Sequence, residues 1–499
     1  MTILENSFTK HKYSINTMKI CMLLFASFFL FCFSVNSFSN PQPYTIELEQ
    51  VSMPGTPAIH SFAFAQSNGK WLFIGGRTNG LHGFNPNNGF LTQFANKNIF
   101  VVDPNTIQTW SRNIFTDLTV SAADPLRSTN MEFAQEGNKL FLMGGYGYDS
   151  TSGNFITFPV LTVIDVEEII QAIISGTSIA PFIRQISDNR IQVTGGELSK
   201  LGNYYYLSGG HKFSGIYTRL FNDQIYTNQI KKFKIEDNGV NVNISDYSSQ
   251  TDIINFHRRD MNVVPAIKPD DISPYLIWYG GVFTLDGIPF LNPVYIDENS
   301  TVVDFTFEQK MSQYTCAFIP IYSALTHSMH TTFFGGMSLY YFDEITQLQV
   351  FDQYVPFIDD ITTEARFSDG TSEEIISSLN LPELLGTNAE FILNTTIPHY
   401  DNDVIKLDEL SERTFAGYIF GGIRGLLPNN GLSYPSNYIF KVYITPDSPM
   451  PVELTSFTSL INTKNVLLKW STASEQNNSG FDLERNFLEK NGMDNEWRK

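Results

Sequence analysis

The chain has 499 residues, of which 14% are aromatic and only 17% charged, with 42 Phe and 23 Tyr. That balance excludes a disordered or coiled-coil protein and points to a β-rich globular one. A net charge of −19 and a pI near 4.8 argue against nucleic acid or an anionic membrane as partner and leave cations or neutral ligands such as sugars.

The N-terminus reads as an address. From Met18 the sequence MKICMLLFASFFLFCFSVNSFSN carries one Lys, an apolar run from Ile20 to Phe33 and Ser37-Phe38-Ser39 as a small-x-small cleavage motif. This predicts a secretory signal peptide over residues 1–39, with Met18 as an alternative start, too short and wrongly flanked for a stable membrane span. The expectation is export through the inner membrane to a secreted or outer-surface location, with no membrane span after signal removal. Phe31 is too large for a lipidation box ahead of Cys32. Cys21 and Cys32 leave with the signal, so Cys316 stands alone, and neither a disulfide nor a zinc site built on cysteine pairs is expected.

Along the chain one element recurs. It reads WLFIGG ending at Gly76, LFLMGG at Gly145, YYYLSGG at Gly210, YLIWYGG at Gly281, HTTFFGG at Gly336 and GYIFGG at Gly422, with gaps of 69, 65, 71, 55 and 86 residues. Each is an apolar strand closed by two glycines. An alternating run follows each pair, usually after a loop, and DPNT or EDNG stretches supply hairpin turns. A single strand ending in a glycine-rich loop, such as KWLFIGGRTNGLHGF at 70–84, suits a phosphate site. Six of them in one chain do not, and no helix follows the first.

These units resemble the kelch repeat, whose blades carry a double glycine after the second strand. The family's aromatic pattern survives partly in FVVDPNTIQTW, ending at Trp110, and other units lack that Trp. The resemblance covers about residues 44–445 and implies an all-β fold: a six-bladed kelch-like β-propeller over 40–445. The spare strand YTIELEQV (44–51) is expected to supply the outer strand of the last blade and close the ring. Two segments read as helical insertions that help shape a binding face. DVEEIIQAIISG has Asp165 and Glu168 at capping-box spacing and Gly176 as a stop, and TSEEIISSLN repeats the idea with Thr371 and Glu374.

Past a proline-spaced linker at 446–451 the texture changes. PVELTSF, with Trp470 to Glu475, Asn477-Asn478 and Gly480 to Arg485, resembles the module that precedes the sorting domain of type IX secretion cargoes. It implies a partial fibronectin/immunoglobulin-like β-sandwich over 452–499 in a bacterial protein, and the type IX machinery as a partner if a sorting domain follows.

Polar residues are expected to open each blade's first strand, ahead of the glycine-closed one: His60, Arg127, Asn130, Glu197, Arg258, Arg259, Asp260, His327, Glu412 and Arg413. In kelch propellers the innermost strand lines the central channel, so these residues are expected to form a polar ring at one mouth. Converging arginines grip a carboxylate in bidentate fashion, and His or Glu moves protons. The bland reading of the same set is the hydrated lining that any propeller channel has. His327 and His330 lie three apart, on opposite faces of a strand, so no metal is expected there, and no cofactor elsewhere. Tyr146, Tyr148, Tyr340 and Tyr341 read as packing or as platforms for sugar rings.

The expectation is a secreted or cell-surface binding module with a carbohydrate or protein ligand. The alternatives are a carbohydrate-active enzyme of sialic-acid-mutarotase or lyase type, using the channel-mouth ring, and a structural adhesin component. No residue demands catalysis.

Overall fold

A computed structural model describes residues 42–447 except 86, 219–223, 344, 347 and 430, together with 454–462 and 465–472. The predicted signal peptide lies outside the described residues, as does most of the expected sandwich.

Six antiparallel sheets surround one axis. Blade 1 is typical, running inner strand Ala63–Ser67, second strand Lys70–Ile74, third strand Asn98–Asp103 and outer strand Gln108–Asn113. The other inner strands are Thr129–Glu136, Thr194–Leu201, Asn262–Ile267, Ala317–Ser323 and Leu385–Leu393. Second strands are the most apolar because a blade neighbour covers each of their faces: Trp71, Leu72, Phe73 and Ile74 are all buried. The cores accordingly lie between blades, as where Phe73 of blade 1 stacks on Phe420 of blade 6 at 4.2 Å.

The ring closes as expected. Tyr44–Val51 pairs antiparallel with Ile439–Pro446, from Tyr44↔Pro446 to Val51↔Ile439, and so becomes the outer strand of blade 6. A sheet wrapped into a ring in this way has no long exposed inner edge.

Four of the six double glycines latch one blade to the next. Gly75 and Gly76 have φ of 69° and 79°, a left-handed backbone that glycine adopts without cost. The Gly76 N–H donates to the Ser128 carbonyl of blade 2 at 2.9 Å, and a Cβ at Gly75 would stand only 2.8 Å from that same oxygen. The bond recurs from Gly145 to Val193 (2.8 Å), Gly210 to Arg258 (2.7 Å) and Gly422 to Ile59 (3.0 Å).

Several expectations need correction. TSEEIISSLN is not a helix: Ser372–Asn380 is the outer strand of blade 5, paired with Phe357–Phe367. The free edge of an eleven-residue strand and the β-branched Ile375 and Ile376 outweigh a local capping signal. The predicted Thr371–Glu374 capping box is broken up as well, because Thr371 bonds to Asp369 and Glu374 turns inward to accept the N–H groups of Lys310 and Met311. The first helix does form, at Val166–Ser175, and ends at left-handed Gly176. Its predicted box is absent, however: Asp165 grips Arg184 at 2.6 Å, and Glu168 accepts from Asn138 at 2.8 Å. The helix packs its apolar face into the core between blades 1 and 2, at the end of the blades away from the glycine latches.

The remaining corrections concern blades 5 and 6. His327 was expected on an inner strand, but it sits in the turn between the inner strand Ala317–Ser323 and the second strand Ser328–Met337. Glu412 and Arg413 likewise precede the second strand Thr414–Gly425, at the end away from the latches. The segment 394–413 that leads to them runs beneath the propeller axis. There Ile405–Lys406 adds in parallel to the axial edge of the blade 5 inner strand, and Asn402 Nδ2 donates to the Ala266 carbonyl of blade 4 at 3.2 Å. This strap packs on the cores of blades 4, 5 and 6.

Beyond the propeller, Leu454–Asn462 and Asn465–Thr472 form an antiparallel hairpin.

Candidate functional site

Each inner strand is entered through one residue at the axis. Ser61, Asn130, Gly195, Asp260 and Asn388 all have positive φ, between 50° and 66°, and Thr315 holds the corresponding place in blade 5. Asn and Asp tolerate this conformation better than most side chains. Their backbones form a girdle: Asn130 N–H donates to Ser61 at 3.2 Å, Asp260 to Gly195 at 2.7 Å, Thr315 to Asp260 at 3.2 Å and Asn388 to Thr315 at 2.7 Å.

Side chains converge above this girdle. Asn130 Nδ2 of blade 2 reaches Asp260 Oδ1 of blade 4 at 3.1 Å, a contact between non-adjacent blades that only the axis permits. Asp260 Oδ2 also accepts from Arg259 and, at 2.5 Å, from the Tyr314 hydroxyl of blade 5. Arg259 Nε donates to the Tyr226 hydroxyl of blade 3 at 3.2 Å. Burial alone would lower the Arg259 guanidinium, but the Asp260 carboxylate beside it prevails and holds it well above its ordinary value.

Three imidazoles border this group. His60 shares a 2.9 Å bond through Nδ1 with Ser61 Oγ, and its ring also meets the backbone of Asn79 and Gly80. His211 is buried with its Nδ1 unpartnered, beside Tyr226 at 5.8 Å between ring centroids. His82 stacks on Phe90 at 4.4 Å. Burial, with nearby Arg77 acting on His60 and nearby Arg259 on His211, pushes those two down to about 3, and burial above all brings His82 to about 4. All three are therefore neutral at physiological pH and can both donate and accept. Arg77 is buried over Phe90, bonded to Asn79 and to the Leu91 carbonyl, and among the described residues has no carboxylate partner.

A roof covers the group. The loop after Gly75-Gly76 crosses the mouth: Leu81 N–H donates to Ser433 Oγ of blade 6 at 2.8 Å, Phe90 stands edge-on to Tyr146 of blade 2 and His82 edge-on to Tyr217 of blade 3. The glycine-rich stretch that resembles a phosphate loop thus lies across this axial group, called the chamber below.

Deeper in the channel, Glu132, Glu197 and Glu390 stand two residues beyond the girdle on three inner strands. Burial raises all three carboxyls, Glu197 further through Glu390 and Glu132, and Glu390 reaches about 8. Burial thus favours the neutral form of all three.

Of the residues singled out in the sequence, His60, Asn130, Arg259 and Asp260 meet in the chamber and Glu197 lies below it. Arg127 is tied to Asp124 at 2.5 Å. Arg258, wholly buried, donates to the carbonyls of Asn255, Gly280 and Asn292 and lies over Phe290, a structural role. His327 is exposed in its turn, and Arg413 pairs with Glu47 at 3.0 Å far from the chamber. His330 bonds to Ser328 at 2.8 Å within its own strand. Tyr146 is packed, its hydroxyl donating to the Gly215 carbonyl at 2.6 Å. Sequence reasoning missed Arg77, His82, His211, Tyr226 and Tyr314. A signal existed for two of them: Arg77 and His211 directly follow a double glycine, where the second strand meets the mouth.

The sequence matches no protein-family model and no curated protein at a significant level.

Proposed function

We propose that the protein is an exported, kelch-type binding module that holds a saccharide in the axial chamber. The observation that carries this reading is the buried His211 imidazole, whose Nδ1 has no partner among the described residues, beside a group of polar side chains drawn from five blades. Buried polar atoms are nearly always bonded, and hydroxyls, which donate and accept, suit neutral imidazoles. The Tyr226 ring, stacked on His257 at 3.8 Å, adds an apolar wall of the sort that sugar rings use. Arg77, lacking a carboxylate partner, favours an acidic sugar over a neutral one.

The signal-peptide pattern, the kelch-like glycine pairs and the type IX-like tail together support secretion or surface display in a bacterium. Isothermal titration of residues 40–447 against neutral and carboxylated monosaccharides tests the reading. Binding that His211→Ala abolishes and Arg77→Gln turns toward neutral sugars is expected. Undiminished binding by the His211 variant, or no saccharide bound at all, would sink it.

A further inference from the structure

The mouth of the chamber shares its face with the loops that join second to third strands, and that face is unusually apolar. In the propeller, exposed large apolar side chains gather there, most densely on blades 5 and 6. Leu348, Phe351 and Tyr354 of the blade 5 loop, with Leu427, Leu432 and Tyr434 of blade 6, are each more than half exposed. The two loops abut: Asn429 Nδ2 donates to Asp352 at 2.7 Å and Phe357 N–H to the Pro428 carbonyl at 3.0 Å. Side chains of this size left in water on neighbouring loops mark a surface that is covered in use.

Charge narrows what covers it. Segments 338–356 and 426–438 contain no Lys or Arg. Asp343 bonds to its own loop, and Asp352 to its own loop and to Asn429, but neither pairs with a cation among the described residues. The nearest cations are engaged, Lys310 with the Glu374 carbonyl at 2.7 Å and Arg424 with Glu383 at 2.8 Å. An apolar patch flecked with unpaired carboxylates, on a protein of charge −19, repels anionic lipid headgroups and attracts cations.

We infer that the loops of blades 5 and 6 dock a polypeptide segment presenting large apolar side chains flanked by lysine or arginine. The surface meets the chamber's roof at Ser433 but shares none of the side chains grouped at the axis, so this holds whether or not a saccharide binds there.

Panning displayed random peptides against the full chain, then measuring the best synthetic peptide by fluorescence anisotropy, tests it. Enriched peptides should combine Leu, Phe or Trp with Lys or Arg, and their affinity should fall as salt is raised. The Phe351→Ser/Leu427→Ser double variant should weaken binding about tenfold or more, while His211→Ala leaves it unchanged. Both patch residues are exposed, so the double variant should keep the melting temperature of the parent; if it does not, Leu427→Ser alone is read instead. No enrichment, enrichment of acidic or uncharged peptides, or equal binding by the patch variant would each overturn the inference.

Discussion

The Tyr314 hydroxyl of blade 5 donates to Asp260 Oδ2 of blade 4 at 2.5 Å, and the same carboxylate neutralises the buried Arg259 guanidinium. Asp260 is thus the one acceptor on which three blades converge, since Asn130 reaches its other oxygen. Replacing it by Ala leaves a buried cation without a counter-charge, which should cost about 3–5 kcal/mol. Tyr314→Phe, which removes a hydroxyl that donates to Asp260 and accepts from Arg259 but leaves the charge pair intact, should cost about 1–2 kcal/mol. Urea titrations followed by tryptophan fluorescence measure both, and equal losses would show that charge compensation is not what holds this group.

Glycine latches can be separated from ordinary turn glycines. Gly75→Ala forces a side chain toward the Ser128 carbonyl and Met131 of the next blade in a left-handed backbone. Gly137→Ala has positive φ but open space around it. The first should destabilise by more than about 3 kcal/mol and the second by about 1 kcal/mol. Comparable midpoint shifts in denaturant would refute the latch.

Stability should fall at both ends of the pH scale. Glu390 lies at about 8 in the fold against 4.5 ordinarily, and burial raises Glu374 as well. Raised carboxyls stabilise in their neutral form, so this contribution is complete below about pH 4.5 and disappears as pH rises through 7 to 8. His60, His82 and His211 move the other way, from 6.5 to between about 3 and 4, so their contribution is complete above pH 6.5 and is lost as pH falls through those values. Melting temperature should therefore peak near pH 5–6. Glu390→Gln should flatten the alkaline limb and leave the acid limb alone.

Arg413 was a candidate for the mouth, yet it stacks on Tyr443 at 3.5 Å and pairs with Glu47 on the outer edge of blade 6. Arg413→Ala should change stability by less than about 1 kcal/mol, as exposed pairs do, with saccharide affinity unaltered in the same titration that reads His211→Ala.

Ring closure by Tyr44–Val51 predicts a larger effect. Tyr44 is buried, its hydroxyl bonded to Thr332 of blade 5 at 2.9 Å, and Ile46 and Leu48 pack on the blade 5–6 core. Deleting residues 42–51 should strip blade 6 of its outer strand and abolish a single cooperative melting transition. A sharp transition near that of the full chain would show that closure is dispensable.

Blade number, the order of strands within most blades and the closing role of residues 44–51 were legible because they depend on short-range signals: a glycine pair, alternating apolar residues and one strand left over. Four of the ten proposed mouth residues reached the chamber for the same reason, since His60, Asn130, Arg259 and Asp260 stand a fixed few residues before a regular inner strand. Register in blades 5 and 6 was not legible. There the inner strand ends in a turn holding His327 or in the twenty-residue strap that ends at Arg413, and nothing local distinguishes such connections from a strand start. The outer strand at 372–380 was misread for a related reason, because its helical signal is local while the strand edge that recruits it comes from Phe357–Phe367. The chamber itself depends on distance in space alone. Arg77, His82, His211, Tyr226 and Tyr314 are spread over 238 positions of sequence, and only the closing of six sheets around one axis brings their side chains within reach of Asp260.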